Sequence, residues 1–188
     1  MGVLHTTFVK SVNPGGRLYS CVSDETRYNG EIGKLGDFAN GSHEIYNFEK
    51  IEAGDVAKKN IIGFVMQPEM MYDNSRKSLL KLANFEIPAG TPFVFVPLEP
   101  GDKVEVSKDL IRTGGNATIN VGQFAVLPNN GTLTTVGHTS NYNNVPVNGR
   151  YFKVLNIKKA HARSARINGM LAADNYDLYT LELRLKQQ

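Results

Sequence analysis

The chain has 188 residues, of which 41% are hydrophobic and 21% charged, and its formal net charge is +3. This length suffices for one globular domain with a buried core, which needs no metal or disulfide to fold. The charge is too small and too evenly spread to indicate a nucleic-acid-binding protein, and the single cysteine excludes an internal disulfide and a cysteine-clustered zinc site.

Residues 1–16 are predicted to form an extended N-terminal arm ahead of a single β-rich domain at 17–188. The apolar residues of the arm follow no strand or helix period, and Asn-Pro-Gly-Gly at 13–16 breaks the chain. Such a segment must cover either its own domain or a neighbouring subunit, and the sequence does not choose between them. We expect contact with a partner, in which the anchors would be Leu4, Phe8, Val9 and Val12.

The first half of the remaining chain is predicted to consist of short strands and loops. A strand at 17–23 contains Cys21, for which we expect a buried and unreactive thiol. Frequent glycines argue against a long helix in 24–60. The apolar run 61–66 predicts a buried strand, and 69–82 holds the best helix candidate of the chain.

The second half alternates strand-like runs with turns. The predicted strands, identified by β-branched residues or by period-two alternation, are 92–97, 103–107, 116–120, 121–127, 132–136, 151–157 and 179–186. Pro100-Gly101-Asp102 predicts a turn between the first two, and Asn130-Gly131 is the strongest hairpin signal in the chain. The Asn-rich stretch 137–149 is expected to be a surface loop, and 158–175 a long excursion.

Many short strands between glycine, proline and asparagine turns indicate an all-β fold. We predict an antiparallel β-sandwich or barrel, with the extended N-terminal arm and at most one short helix. The two Gly-Asp turns, at 54–55 and 101–102, are too little to indicate an internal duplication. No apolar run approaches the length that spans a bilayer, so no membrane association is expected.

No pattern of reactive residues points to catalysis. The carboxylates lack the paired arrangement of a glycosidase, and the nucleophile-elbow and zinc-helix motifs are missing from the sequence. Metal-ligand spacing is also missing among the four histidines, which are His5, His43, His138 and His161. We therefore expect a non-enzymatic protein without a metal or cofactor. Tyr142 and Tyr151, near the Asn-rich loop, could hold a ligand, although packing is their more ordinary use.

Four stretches between residues 40 and 186 carry a family resemblance. They are Glu-Ile-Tyr-Asn-Phe at 44–48 with Ile-Ile-Gly-Phe-Val at 61–65; Ala-Asn-Phe at 83–85 followed by 93–96 and 101–107; 121–126 with the Asn-Gly hairpin; and the strand 179–186. Through them the chain resembles small structural proteins of tailed-phage virions, in particular head decoration (cement) proteins of phages that infect Gram-positive hosts.

The resemblance implies a protein that binds the outside of an assembled phage head, with the major capsid protein as its partner, and stabilises the head against the pressure of packaged DNA. It also implies a place on the capsid exterior after synthesis in the host bacterial cytoplasm, and a homo-oligomer, with a trimer favoured. A repeating shell would strengthen a weak contact through avidity. The alternatives are another virion component, such as a tail, connector or head-fibre protein, and a carbohydrate- or ligand-binding β module. No sequence-specific contact with nucleic acid is expected.

Overall fold

The computed structural model describes residues 4–12, 16–52, 55, 60–67, 86–112, 118–127, 136–145, 149–161 and 175–186. The strands, in chain order, are β1 (Leu4–Phe8), β2 (Tyr19–Val22), β3 (Arg27–Tyr28), β4 (Ile32–Phe38), β5 (Ile45–Glu49), β6 (Ile62–Met66), β7 (Glu86–Ile87), β8 (Phe93–Pro97), β9 (Lys103–Ser107), β10 (Ile111–Arg112), β11 (Phe124–Val126), β12 (Val136–Thr139), β13 (Arg150–His161) and β14 (Asn175–Leu185). Single 3-10 turns occupy Lys10–Val12, Lys108–Leu110 and Tyr142–Asn144, and no longer helix occurs among the described residues.

The strands form a seven-stranded sheet, a closed five-stranded barrel and a two-stranded ladder of β3 and β7. The sheet has the order β1-β9-β14-β13-β11-β12-β10, and the barrel has the order β2-β5-β4-β6-β8. The described pairs are antiparallel except β2–β5 and β10–β12, which are parallel. The predicted all-β, mainly antiparallel fold is therefore confirmed.

The barrel and the sheet share one core, because strands of the barrel wall are apolar on both faces. On β8, Phe93 and Phe95 belong to the cluster inside the barrel, while Val94 and Val96 pack in the core shared with the sheet. Alternation of side chains across a strand produces this division. On β14, by contrast, one face is apolar and buried in the shared core, through Tyr179, Leu181 and Leu183.

The barrel interior is so narrow that two of its inward positions are glycine. Gly33 on β4 and Gly63 on β6 lie opposite each other. A Cβ on Gly63 would lie 2.2 Å from the Val96 carbonyl oxygen, and one on Gly33 would lie 2.4 Å from the Phe48 ring. The interior rings therefore fill the space that ordinary side chains at these two positions would need.

The strand predictions are confirmed for most of the chain, with differences in two regions. Residues 118–120 do not form part of the strand predicted at 116–120, although Ile119 is buried. The excursion predicted at 158–175 is strand at both of its ends. There β13 and β14 remain paired, and the last pair places His161 opposite Asn175. Residues 158–161 and 175 are therefore strand, and residues 162–174 lie outside the described residues.

The hairpin predicted around Asn130-Gly131, with its second strand at 132–136, lies mostly outside the described residues, and on either side of it β11 and β12 are antiparallel neighbours with Val126 opposite Gly137. The second strand begins at Val136, so it takes residues that the sequence assigned to a surface loop at 137–149. The turn residues 128–131 lie outside the described residues, as does the helix candidate 69–82.

Candidate functional site

The predicted partner-binding residues lie in the N-terminal segment, which we define as residues 4–12. Its strand β1 pairs antiparallel with β9 at the edge of the seven-stranded sheet, where His5 lies opposite Glu105. The described part of the predicted arm therefore lies on its own domain.

Two long-range hydrogen bonds hold the 3-10 turn that follows β1. The Lys10 amide donates to Asp102 Oδ1 at 3.2 Å, and Ser11 Oγ donates to the Pro97 carbonyl oxygen at 2.8 Å. Pro97 ends β8 of the barrel, while Asp102 precedes β9 of the sheet. The N-terminal segment is thus fastened at the point where the chain passes from barrel to sheet.

The four candidate anchors have different positions in this segment. Val9 is fully buried in the shared core, so its prediction as a partner-binding residue is corrected: a side chain without exposed surface cannot contact a neighbour. Val12 is 39% exposed and is available to a partner. Leu4 and Phe8 are the first and last residues of β1. Contact between the segment and a partner stays a prediction.

The hydrogen bonds that close the turn beside the Lys10 amide occur at a second place in the chain. In residues 99–102, the Asp102 amide donates to the Glu99 carbonyl oxygen at 3.0 Å, and the Glu99 amide donates to Asp102 Oδ2 at 2.8 Å. Glu52 and Asp55 make the same two bonds, at 3.1 and 2.8 Å. Both aspartates are buried and both follow a glycine. We call these the two Glu-x-Gly-Asp turns.

The two turns differ in what else their aspartate holds. Asp55 accepts hydrogen bonds from Lys34 Nζ at 2.9 Å and from Asn60 Nδ2 at 2.8 Å, within the same part of the chain. Asp102 accepts the backbone amide of Lys10 instead. One turn therefore stabilises its own loop, and the other fastens the N-terminal segment.

A partly exposed aromatic group lies at one end of the barrel. Phe38 stacks on Tyr46 with 4.5 Å between ring centroids, and Tyr19 meets Tyr46 edge-on at 5.4 Å. Tyr19 and Tyr46 pack against the barrel interior, whereas Phe38 is 49% exposed. We call these three residues the barrel-end surface. The sequence did not reveal it, because an irregularity between Leu35 and Phe38 interrupts the strand period.

A second aromatic cluster contains both tyrosines that the sequence singled out. The ring centroids of Phe124, Tyr142 and Tyr151 lie 5.2 to 5.8 Å apart. Tyr142 is 40% exposed, and Lys186 Nζ lies 4.7 Å from its ring centroid and donates to its carbonyl oxygen at 3.2 Å. Burial, together with a hydrogen bond to Tyr142, raises the pKa of Tyr151. We call this group the loop aromatic cluster.

A buried acid and base lie beside the start of β4. Arg27 Nε donates to Ser23 Oγ at 2.8 Å, and Arg27 Nη1 lies 3.8 Å from Glu31 Oε2. Glu31 is 4% exposed, and its Oε2 has no hydrogen-bond partner among the residues that the structure describes. Burial raises the pKa of Glu31 to about 7, although the nearby Arg27 acts in the opposite direction. Glu25 is the other carboxylate at this site: its Oε2 lies 3.1 Å from Arg27 Nη2, and its negative charge adds to the rise in the pKa of Glu31.

The remaining candidates are the histidines and Cys21, and the structure describes the side chains of His43, His138 and Cys21. His43 is exposed, and His138 Nε2 lies 2.6 Å from Gln123 Oε1. In the part of the chain that the structure describes, no three His, Cys, Asp or Glu side chains converge on a metal position. Cys21 lies inside the barrel, where burial raises its thiol pKa to about 12, so the expectation of a buried, unreactive cysteine is confirmed.

The described residues include no helix long and apolar enough to cross a membrane. Comparison of the chain with protein-family models, with curated proteins and with solved structures finds no match.

Proposed function

We propose that this chain is a structural protein of a phage virion, which decorates the head by binding the outer surface of the capsid. It would reinforce the shell against packaged DNA without catalysing a reaction or holding a cofactor. The major capsid protein would be its partner, and a homo-oligomer, with a trimer favoured, would be its working form. The four stretches of family resemblance support this proposal.

The observation that carries the proposal is the barrel-end surface. Phe38 exposes about half of its side chain, yet its ring is fixed by stacking on Tyr46. Rigid, half-exposed aromatic side chains are typical anchors of protein interfaces, because little entropy is lost when a partner covers them. Since a shell repeats each of its surfaces many times, one such anchor per copy suffices for firm attachment of an oligomer.

Mixing the purified chain with pre-formed capsids tests the proposal. A decoration protein cosediments with the heads in a fixed ratio, whereas a tail, connector or head-fibre component does not saturate the head surface. Absence of cosedimentation under any stoichiometry would remove the proposal.

The substitution Phe38→Ala tests the role of the barrel-end surface. Loss of an aromatic anchor costs about 2 kcal/mol per contact, which corresponds to a roughly 30-fold weaker affinity for the capsid. Val121→Ala is the matched control, because Val121 is 59% exposed and lies in a turn of the sheet rather than of the barrel. Equal capsid affinities of the two variants would exclude the barrel-end surface as the attachment site.

The loop aromatic cluster favours a second candidate, a carbohydrate-binding module. Tyr142 is exposed beside Asn141 and Asn143, and sugars bind through aromatic faces together with amide groups. A glycan array tests this candidate. Binding that is lost in Tyr142→Ala would support it, and an array without signal would remove it.

A further inference from the structure

We propose that Asn40 is a site of spontaneous deamidation, where attack by the Gly41 main-chain nitrogen converts the side-chain amide to a carboxylate beside the barrel-end surface. The site lies in the loop 39–44, which joins β4 to β5. The modification goes beyond attachment to a capsid, because it follows from the chemistry of the chain itself and needs no partner.

The structure describes two Asn-Gly pairs, Asn29-Gly30 and Asn40-Gly41. Deamidation requires the main-chain nitrogen of the second residue to reach the side-chain carbonyl carbon of the asparagine. Glycine permits this approach because it has no side chain and the widest range of backbone conformations. Both pairs are therefore chemically capable of the reaction, and their surroundings decide which of them reacts.

The Asn40-Gly41 pair is exposed, and its reacting groups are unrestrained. Both residues lie in a turn that is closed by a hydrogen bond from the Ser42 amide to the Ala39 carbonyl oxygen at 2.9 Å. Among the described residues, neither the Asn40 side chain nor the Gly41 amide makes a hydrogen bond. A Cβ on Gly41 would meet no atom within 4 Å, so this side of the turn is open to water.

The Asn29-Gly30 pair is held in place by three hydrogen bonds. Asn29 Nδ2 donates to the Gln67 carbonyl oxygen at 3.1 Å, and Asn29 Oδ1 accepts from the Gln67 amide at 2.7 Å. The amide of Gly30, which is buried, donates to the Val65 carbonyl oxygen at 2.9 Å. Each bond that must open before the attack slows it about fivefold, so the three together slow it roughly 100-fold.

The reaction at Asn40 consumes only water, with hydroxide as the base. Hydroxide removes the proton of the Gly41 amide, the freed nitrogen forms a bond to Asn40 Cγ, and the Cγ–Nδ2 bond breaks. The departing nitrogen takes a proton from water and leaves as ammonia. Water then opens the cyclic imide at either carbonyl carbon. Cleavage of the new N–Cγ bond gives aspartate, whereas cleavage of the original peptide bond gives isoaspartate, in which the main chain runs through the side-chain carbons.

Both products change the loop that connects two residues of the barrel-end surface. Phe38 lies opposite Tyr46, and the next residue, Ala39, donates its amide to the Ile45 carbonyl oxygen at 2.8 Å. Isoaspartate lengthens the main chain of this loop, and each product adds a negative charge to it. We expect the pairing at the end of β4 to loosen and Phe38 to lose part of its fixed position. In a consequence that rests on the proposed function, capsid affinity would fall about tenfold, because an anchor that must be ordered on binding costs entropy.

Incubation of the purified chain in mildly alkaline buffer, followed by peptide mass spectrometry, tests the site. We expect the folded chain to deamidate at Asn40 roughly 100-fold faster than at Asn29, and the rate at Asn40 to rise with pH. In urea, where the hydrogen bonds of Asn29 are lost, the two rates should become similar. The site is disproved if folded Asn40 reacts no faster than Asn29, or if the difference between the two persists in the unfolded chain.

Asn40→Gln is the matched variant for the effect on the barrel-end surface, because the longer glutamine side chain forms the corresponding ring far more slowly. Wild type and variant are incubated identically, so that the Asn-Gly pairs at 130–131, 148–149 and 168–169, which lie wholly or partly outside the described residues, react equally in both. The Ala39 amide should then exchange its hydrogen faster in the wild type than in the variant. Equal exchange would overturn the effect on this surface.

Cosedimentation of the same two incubated samples with capsids tests the consequence for attachment. The wild type should bind about tenfold more weakly than Asn40→Gln, and equal affinities would overturn this consequence. A chain that binds no capsid even before incubation would remove the proposed function instead. The mass spectrometry and the hydrogen exchange need no capsid, so the two failures are distinguishable.

Discussion

The two Glu-x-Gly-Asp turns share one pair of hydrogen bonds but serve different purposes. In each, the aspartate closes its own turn through two hydrogen bonds with the glutamate three residues earlier. Asp55 also accepts a hydrogen bond from the ammonium group of Lys34, whereas Asp102 accepts one from a backbone amide of the N-terminal segment. A short sequence motif therefore determines the shape of a turn, and the surrounding chain determines what the turn stabilises.

The largest loss of folding stability is expected when the aspartate is removed from the turn that is ion-paired with Lys34. Asp55→Ala leaves Lys34, whose side chain is 16% exposed, without its closest carboxylate. The variant also loses the hydrogen bonds that Asp55 accepts from Glu52 and Asn60, while Lys34 keeps Glu49 at 3.5 Å, and we expect a total loss of about 4 kcal/mol in the free energy of unfolding. Urea denaturation measures this loss.

Glu49→Ala is the matched control, because Glu49 also lies within 3.5 Å of Lys34 Nζ but its side chain is 45% exposed. An exposed pair of this kind contributes less than about 1 kcal/mol. If the two variants lost similar stability, the buried Asp55 turn with its ion pair would contribute no more than an exposed carboxylate does.

Glu31 is a buried carboxylate that does not lie in a Glu-x-Gly-Asp turn, and its pKa shows the cost of burying such a group. Within the described part of the chain, Oε2 of Glu31 accepts no hydrogen bond, and burial raises the pKa of Glu31 from 4.5 to about 7 against the lowering effects of Arg27 and of a backbone hydrogen bond from Tyr28. Because the folded state holds the proton more tightly, its stabilising contribution is complete below pH 4.5 and is lost as the pH rises through 7. At about 1.4 kcal/mol per pH unit, this interval corresponds to roughly 3 kcal/mol.

Glu31→Gln should therefore match the wild-type stability at about pH 4 and exceed it by about 3 kcal/mol at about pH 8. Urea denaturation across this range gives both curves. Glu44→Gln, which changes an exposed glutamate and keeps Glu31, should retain the wild-type slope. A Glu31→Gln curve parallel to that of the wild type would show that Glu31 is not the group responsible.

The contrast between local and distant contacts also explains which features of the structure could be predicted from the sequence. Strands with one buried face, such as β9 and β14, show period-two alternation, and the sequence predicted both. The bulged strand β4 shows no such period, so Phe38 was not recognised as part of a surface. Residues 100–102 were predicted as a turn, since Pro and Gly have local preferences. The bond from Asp102 to Lys10 spans 92 residues, and no local preference encodes it.

The same reasoning applies to Val9 and to the glycines of the barrel. An apolar residue near a Pro-Gly breaker can face a partner or the core of its own domain. Only the packed structure shows that Val9 lies in the core. The sequence around Gly33 and Gly63 does not show why these two positions are glycine. The reason is the presence of the Phe48 and Phe95 rings across the barrel. Interior volume is a property of several strands together, which a single segment cannot reveal.

The smallest predicted effect separates the two roles of Asp102. Asp102→Ala removes both the bond to the Glu99 amide and the bond to the Lys10 amide, and we expect a loss of about 2 kcal/mol in the free energy of unfolding. Asp102→Asn keeps one side-chain oxygen, which can still accept from Glu99, but turns an NH2 group toward the Lys10 donor. We expect this variant to lose about 1 kcal/mol, confined to the N-terminal segment.

Amide hydrogen exchange distinguishes the two outcomes, because local opening and global unfolding expose different amides. In Asp102→Asn, amides of β1 and Lys10 should exchange faster while those of β14 keep the wild-type rate. In Asp102→Ala, the turn at 99–102 should also exchange faster. Ser11→Ala is the control for the segment alone, since it removes only the bond to the Pro97 carbonyl. Were Asp102→Asn to accelerate exchange in β14 as much as in β1, the segment would be an integral part of the fold, and its attachment could not be separated from global stability.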